Sequence, residues 1–202
     1  MLKRTKGYFL LTMLVLTGLA GRTHTDVLSG KERRFLLNDL KIIKIDLLNN
    51  IQGLSKKQLD FRQTKNSLSI RDHLYRTAAV QITLWNNVQS SLLHHISIAP
   101  EKISMDDAQL NDCVNNDLET ARIFNTKIHF HSVPEVLNNL KKENTEIIRY
   151  VRTATDNLRH HIVKTPVGNL DIFQTIIFIS AYTKQSLQMI KEIKQSPGFP
   201  GN

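Results

Sequence analysis

Cysteine is almost absent from this 202-residue chain, in which Cys113 is the only one. A single thiol cannot close an internal disulfide, so the fold has to be held by its hydrophobic core. No basic residue stands beside Cys113 in the stretch "LNDCVNN" to favour the reactive thiolate. We therefore expect a packed thiol, with a nucleophile as the alternative.

Several features that mark domain boundaries or catalysis are also missing. No Gly/Ser linker, low-complexity tract or fixed-period repeat interrupts residues 26 to 196. No Ser-His-Asp order, glycine-rich phosphate loop or pair of catalytic carboxylates stands out, and Asp106, Asp107 and Asp112 fall in a polar connecting segment where acids usually cap helices or face solvent. The pattern predicts one domain, and we assign these acids no chemistry.

Residues 1–20 read as a secretory signal peptide. Lys3, Arg4 and Lys6 precede an apolar run from Tyr8 to Ala20 that ends in small residues, and cleavage is expected between 20 and 25. The run is shorter than the roughly 20 apolar residues of a membrane-spanning helix, so an uncleaved anchor is the alternative. We expect an exported bacterial protein, periplasmic or extracellular, with no membrane span in the mature chain.

The charge balance is basic but dispersed. The formal net charge of +9 falls to +6 without residues 1–20, which carry three of the cations. Lysines and arginines are spread among acids and do not interleave with aromatics, so the sequence argues against nucleic acid as a partner. Weak affinity for anionic envelope surfaces is the simpler use of this charge.

Four long helical segments account for most of residues 31–195, and 196–202 read as a flexible tail. The first opens at the capping spacing Ser29 to Glu32 and ends at Gly53, and the second starts at Ser67 or Ser69 after another capping spacing from Ser55. About 40 residues separate it from the third, and they hold at most short helices at Met105–Asn111 and Leu118–Phe124.

The third helix has the clearest start, because Ser132, Pro134 and Glu135 combine a cap, a first-turn proline and an acid. Its apolar pattern continues to Leu158. The fourth runs from about Leu170 to Lys194. With almost no alternating β pattern, the sequence predicts an all-α four-helix bundle with a long crossover between the second and third helices.

Residues 53–81 and the fourth helix resemble the DinB-like family. Leu54-Ser-Lys-Lys-Gln-Leu59, Phe61-Arg62 and Ser69-Ile-Arg-Asp72 follow the family's turn and second-helix motifs, although Gln63 and Leu68 replace its proline and tryptophan. The similarity spans residues 31 to 195. It implies the same bundle, and pairing through helix faces into a homodimer is compatible with it.

The resemblance also implies where a metal would lie. Family members hold a divalent ion with three histidines, and the motifs align these with Arg76 on the second helix and Tyr182 and Ser186 on the fourth, while Gln185 replaces an arginine. An arginine has no lone pair to offer, and neutral hydroxyls are poor ligands beside imidazole. We therefore predict no metal cofactor at these positions.

Two readings of this cleft remain open. Arg76, Tyr182 and Ser186, with Asp72, His73 and Gln185 as neighbours, form either an internally satisfied polar cluster or a site for a small anion, and Asp72 is placed to form a salt bridge with Arg76. His73 is the histidine nearest this cleft and could join a divergent metal site. The pairs His94-His95, His129/His131 and His160-His161 read as solvated or capping residues.

The favoured interpretation is an exported DinB-like protein of unassigned activity, without the family's metal, that acts as a binding or structural module in the cell envelope. The alternative is a transferase or hydrolase that uses a metal or a small thiol cofactor at a divergent site, and the replaced ligands count against it.

Overall fold

The computed structural model describes residues 28–93, 103–107, 109–110 and 128–201. The predicted signal peptide, His94, His95, Asp112, Cys113 and the predicted turn Leu118–Phe124 lie outside these ranges. The described helices are α1 (Gly30–Ile51), α2 (Lys56–Asp60), α3 (Ile70–Leu93), α4 (Val133–Thr153) and α5 (Ile172–Lys194). The four long ones correspond to the four predicted helices.

Serine caps start α1, α2 and α4 where the sequence predicts them. The Ser29 hydroxyl accepts from the Glu32 amide and the Glu32 carboxylate accepts from the Ser29 amide, so two otherwise unpaired donors are satisfied. Ser55 and Gln58 do the same for α2. At α4 the Ser132 hydroxyl accepts from the Glu135 amide in the same way, but the Glu135 carboxylate accepts from the amide of His131 rather than from that of Ser132.

Contacts along the helices fix their directions. Trp85 packs on Tyr150, and ten residues earlier Tyr75 packs on Phe130, just before α4, so α3 and α4 run parallel. Asp39 contacts Lys184 and Asp46 contacts Lys191, so α1 and α5 are also parallel. Parallel neighbours need a long return connection, and the predicted crossover between the second and third helices is confirmed.

Each of α1 and α3 packs against both α4 and α5, so α1 and α3 occupy opposite corners of a four-helix bundle. The core has two parts. One surrounds Phe173 and Phe178 near the start of α5, and the other surrounds Ile70, Leu74 and Ile190 near its end. This arrangement confirms the predicted fold class.

A β-hairpin between α4 and α5 was not predicted. Strands β1 (Ile162–Thr165) and β2 (Gly168–Asp171) pair antiparallel, with Ile162 opposite Asp171. The predicted third helix consequently ends at Thr153 rather than reaching Leu158, which is buried after the helix end. Gly168 has a φ of +120°, and a Cβ there would fall 2.7 Å from the Ser104 side chain, so the turn requires glycine.

The residues after α5, which we expected to form a flexible tail, pack against the bundle. The Phe199 ring lies edge-on to Phe61 with centroids 5.5 Å apart, and the Gln58 side-chain amide donates to the Pro200 carbonyl at 3.0 Å. Across the described ranges, none of the helices combines the length and apolarity needed to cross a bilayer.

Candidate functional site

Ser186 lies at the interface of α5 with α3, where its hydroxyl is used internally. Its Oγ is 2.7 Å from the Oγ1 of Thr77, which is also 2.7 Å from the carbonyl oxygen of His73. Both hydroxyl-bearing residues are almost completely buried. Thr77 was not among the candidate site residues. Its polar side chain on the apolar stripe of α3 was the feature of the sequence that could have indicated this contact.

Tyr182 lies one turn before Ser186 on the same face of α5. Its ring is buried and stacks on Phe178 with centroids 6.4 Å apart and planes inclined by 14°. Burial raises the pKa of the phenol, and the nearby Arg76 charge opposes this rise. Tyr182 is therefore a neutral phenol close to a guanidinium.

Arg76 is half-buried on α3, and its charge acts on both Tyr182 and His73. Within the described ranges, no hydrogen bond or ion pair engages its guanidinium. The expected salt bridge from Asp72 is not formed, because the Asp72 carboxylate binds Arg62 at 2.8 Å and closes the start of α3 with Ser69. Asp72 is therefore engaged by Arg62 and by the cap of α3, and it does not pair with Arg76.

His73 is half-buried on α3, one helical turn before Arg76 and Thr77. Burial, followed by the Arg76 charge, lowers the pKa of its imidazole to about 4, while Asp72 acts in the opposite direction. The ring is therefore neutral at pH 7. Gln185 is also half-buried and, among the described residues, forms no side-chain hydrogen bond.

The side chains at the three family positions do not fit a divalent metal. Arg76 is a cation, the Ser186 oxygen is held by Thr77, and the Tyr182 phenol resists deprotonation. No group of three or more histidine, cysteine, aspartate or glutamate side chains suited to a metal occurs in the part of the chain that the structure describes. His129 and His131 are exposed near the start of α4.

The next turn of the bundle contains buried polar groups without partners. Gln81 of α3 and Asn144 of α4 are 2% and 6% exposed, yet the Gln81 Nε2 and the Asn144 Oδ1 have no hydrogen-bond partner among the residues that the structure describes. Both line a small cavity with Thr183, in which the centre of a water molecule has about 10 Å³ of space. That is the size of a single water site.

An ionic cluster closes the opposite end of the bundle. Arg159 binds Asp107 through two hydrogen bonds of 3.0 Å, contacts Asp171 at 3.1 Å and lies 4.0 Å above the Phe173 ring. Burial raises the pKa of Asp171 to about 6, because it has a larger effect than the opposing charge of Arg159. Burial acts on Asp107 in the same direction, but the hydrogen bonds from Arg159 and Gln174 together have the larger effect and lower the pKa of that carboxyl. Sequence reasoning left Asp107 without a role, because its partner is 52 residues away.

Comparison with known proteins identifies a shared architecture. No family model matches the chain, and no curated protein matches it. A solved structure does: its title is "YfiT from Bacillus subtilis is a probable metal-dependent hydrolase with an unusual four-helix bundle topology". The likeness covers 90% of this chain and 96% of that one, with a TM-score of 0.54 and 12% sequence identity.

This likeness establishes the fold. The four-helix bundle with parallel α3 and α4 agrees with the DinB-like fold that the motifs at residues 53–81 implied. At 12% identity the activity of the other protein does not transfer with its fold.

Proposed function

We propose that this protein is an exported binding module in which a bundle of DinB-like fold has lost its metal and holds a small anion instead. The ligand would be a carboxylate or phosphate-type anion bound by Arg76. Tyr182 would donate its phenolic hydrogen, and the neutral His73 would supply a further hydrogen bond. The predicted signal peptide supports an envelope or extracellular location for this activity.

The unpaired guanidinium of Arg76 is the observation that carries this proposal. A partly buried guanidinium is normally compensated by a carboxylate or by several carbonyl oxygens, as Arg33 is by the carbonyls of Val151, Arg152 and Ala154. Arg76 has neither kind of compensation from another described residue. An anion would supply it.

The surroundings of Arg76 also favour an anion over a cation. His73 stays uncharged at neutral pH, so it can donate or accept without competing for the ligand's charge. Asp72 is the nearest acid in sequence, and its charge is offset by Arg62. The local charge that remains is the positive charge of Arg76.

Thermal-shift titration with phosphate, sulfate, acetate and citrate tests the proposal. An anion that binds the folded state raises the midpoint of unfolding in proportion to the logarithm of its concentration once binding saturates. We expect this response in the wild type and its loss in Arg76→Gln. Arg152→Gln removes the same charge from an exposed position on α4 and should keep the response.

Equal responses from wild type and Arg76→Gln would contradict the proposal, as would a response abolished equally by Arg152→Gln. Stabilisation by zinc, nickel or manganese that depends on His73 would instead support the alternative enzyme with a divergent metal site. The fold shared with a probable metal-dependent hydrolase is what keeps that alternative in the test.

A further inference from the structure

The outer surface of α1 exposes two large aliphatic side chains to solvent. Ile42 is 65% exposed and Ile45 is 59% exposed, and they stand three residues apart, on the same side of the helix. The core stripe of α1 runs through other residues, including Leu40, Ile43 and Leu47. These isoleucines therefore contribute little to the fold and enlarge the apolar surface that contacts water.

In the middle of α1 the acidic side chains face α5, whereas a lysine is exposed to solvent. Asp39 and Asp46 turn toward α5, where they pair with Lys184 and Lys191. Lys41 stays exposed beside Ile42 and forms no ion pair with another described residue. These two aspartates are thus neutralised by α5, and the outer side of this part of α1 is left basic.

The adjoining outer surface of α4 is also basic. A shallow depression of about 450 Å³ is lined by Lys141, Lys142, Thr145, Glu146 and Arg149, which is three cations to one acid. Lys44 of α1 donates to the Thr145 hydroxyl at 2.9 Å, so the two helix surfaces meet at this point. We name the surface formed by these five residues with Lys41, Lys44 and Ile45 the basic face.

We propose that the basic face docks on an anionic lipid surface. Lysines and arginines close to such a surface are attracted by its negative potential, and aliphatic side chains between them can enter the region of the lipid headgroups. The charge complementarity and an exposed aliphatic side chain have to occur together for this mode of binding. They do so on the outer side of α1, where Ile45 lies one turn after Lys41.

Nucleic acid would use only half of this surface. Its phosphates would meet the same cations, but Ile45 would gain nothing from them, and the basic face has no aromatic side chain on which bases could stack. The face lies on α1 and α4, whereas Arg76 lies on α3, in the opposite corner of the bundle from α1. Docking is therefore independent of the proposed anion site.

Co-sedimentation of the mature protein with phosphatidylcholine vesicles, with and without phosphatidylglycerol, tests the docking surface. We expect binding only when phosphatidylglycerol is present, and less binding as salt is added. Lys141→Gln, Lys142→Gln and Arg149→Gln together should lower the partition coefficient roughly tenfold or more, since each cation near the surface contributes to binding. Ile45→Ser should lower it as well, and by more than Ile42→Ser does.

Two matched variants test whether binding depends on the position of these residues or only on the total charge and apolar surface of the protein. Lys56→Gln, Lys57→Gln and Lys65→Gln remove the same charge from exposed positions outside the basic face, and Leu93→Ser removes a side chain that is 77% exposed at the end of α3. Both should bind as the wild type does, and so should Arg76→Gln. Equal losses from the matched variants, no dependence on phosphatidylglycerol, or tighter binding of single-stranded RNA that is insensitive to the isoleucine changes would overturn the proposal.

Discussion

Thr77 of α3 and Ser186 of α5 are joined by a hydrogen bond, with their hydroxyl oxygens 2.7 Å apart and both residues almost fully buried. Either substitution breaks this buried hydrogen bond, and we expect Thr77→Val or Ser186→Ala each to cost about 1 kcal/mol of unfolding free energy. The double variant should cost less than the sum of the two, as measured by urea unfolding.

Thr183→Val provides the matched comparison for this pair. The Thr183 hydroxyl is equally buried but bonds the Ile179 carbonyl within its own helix. Its effect should add to that of Ser186→Ala. Additive losses for Thr77→Val and Ser186→Ala would mean that the two hydroxyls are not coupled.

His73 should respond to the charge of Arg76. Burial and that charge depress the pKa of the imidazole in the folded protein to about 4, below its ordinary 6.5. Between these values the unfolded chain binds more protons, so this group's contribution to stability is present above pH 6.5 and is lost as the pH falls toward 4. In Arg76→Gln the NMR titration of His73 should move upward, toward its ordinary value.

The outcome for His73 has a direct check within the protein. The exposed His129 and His131 lie just before α4, and their NMR signals serve as the internal reference for the effect of Arg76→Gln. A His73 titration that Arg76→Gln leaves unchanged would show that the guanidinium does not approach the ring.

Asp171 should produce the opposite dependence on pH. Burial raises its pKa from 3.8 to about 6 in the folded state, so between these values the folded protein binds more protons than the unfolded chain. The stabilising contribution is complete below pH 3.8 and is lost as the pH rises through 6. Relative to Asp171→Asn, the wild type should lose on the order of 2 to 3 kcal/mol between pH 4 and pH 7.

Asp171→Asn suits this comparison because an asparagine can still accept from the Gln174 amide and cap α5. Unfolding free energies of both proteins, measured by urea at intervals of pH, give the difference directly. Parallel pH profiles would show that Asp171 does not hold its proton in the folded state.

Two buried glutamines should respond differently to the same substitution. Gln81 has an unpartnered Nε2, and Gln81→Met should be neutral or stabilising by up to about 1 kcal/mol. Gln58 uses its side chain to cap α2 and to bind the Pro200 carbonyl, so Gln58→Met should destabilise the protein by about 1 to 2 kcal/mol. Similar losses in both variants would indicate that Gln81 has a partner, such as a water in the adjoining cavity.

Local chemistry explains which parts of this fold could be predicted. Ser29, Ser55 and Ser132 mark helix starts because a cap depends only on residues within three positions, and all three are confirmed. The hairpin was missed because strands of four residues carry too short a pattern to distinguish from a helix end. Its position depends on contacts from Ser91 and Ser104 that lie far away in sequence.

In the candidate site, too, the features set by neighbouring residues could be predicted, and the contacts between distant side chains could not. Helical spacing placed Tyr182 and Ser186 on one face of α5, and the structure agrees. The orientation of Arg76 came only from the resemblance to the DinB-like family, since it lies off the apolar stripe of α3. The capture of Asp72 by Arg62 could not be read from spacing, because Asp72 has basic neighbours on both sides.

Zinc titration of the mature protein by isothermal calorimetry at neutral pH most directly tests whether Arg76, Tyr182 and Ser186 have replaced a metal site. The account predicts no stoichiometric binding, and a heat of binding with phosphate or a carboxylate that disappears in Arg76→Gln. One tightly bound equivalent of zinc that His73→Ala abolishes would contradict it.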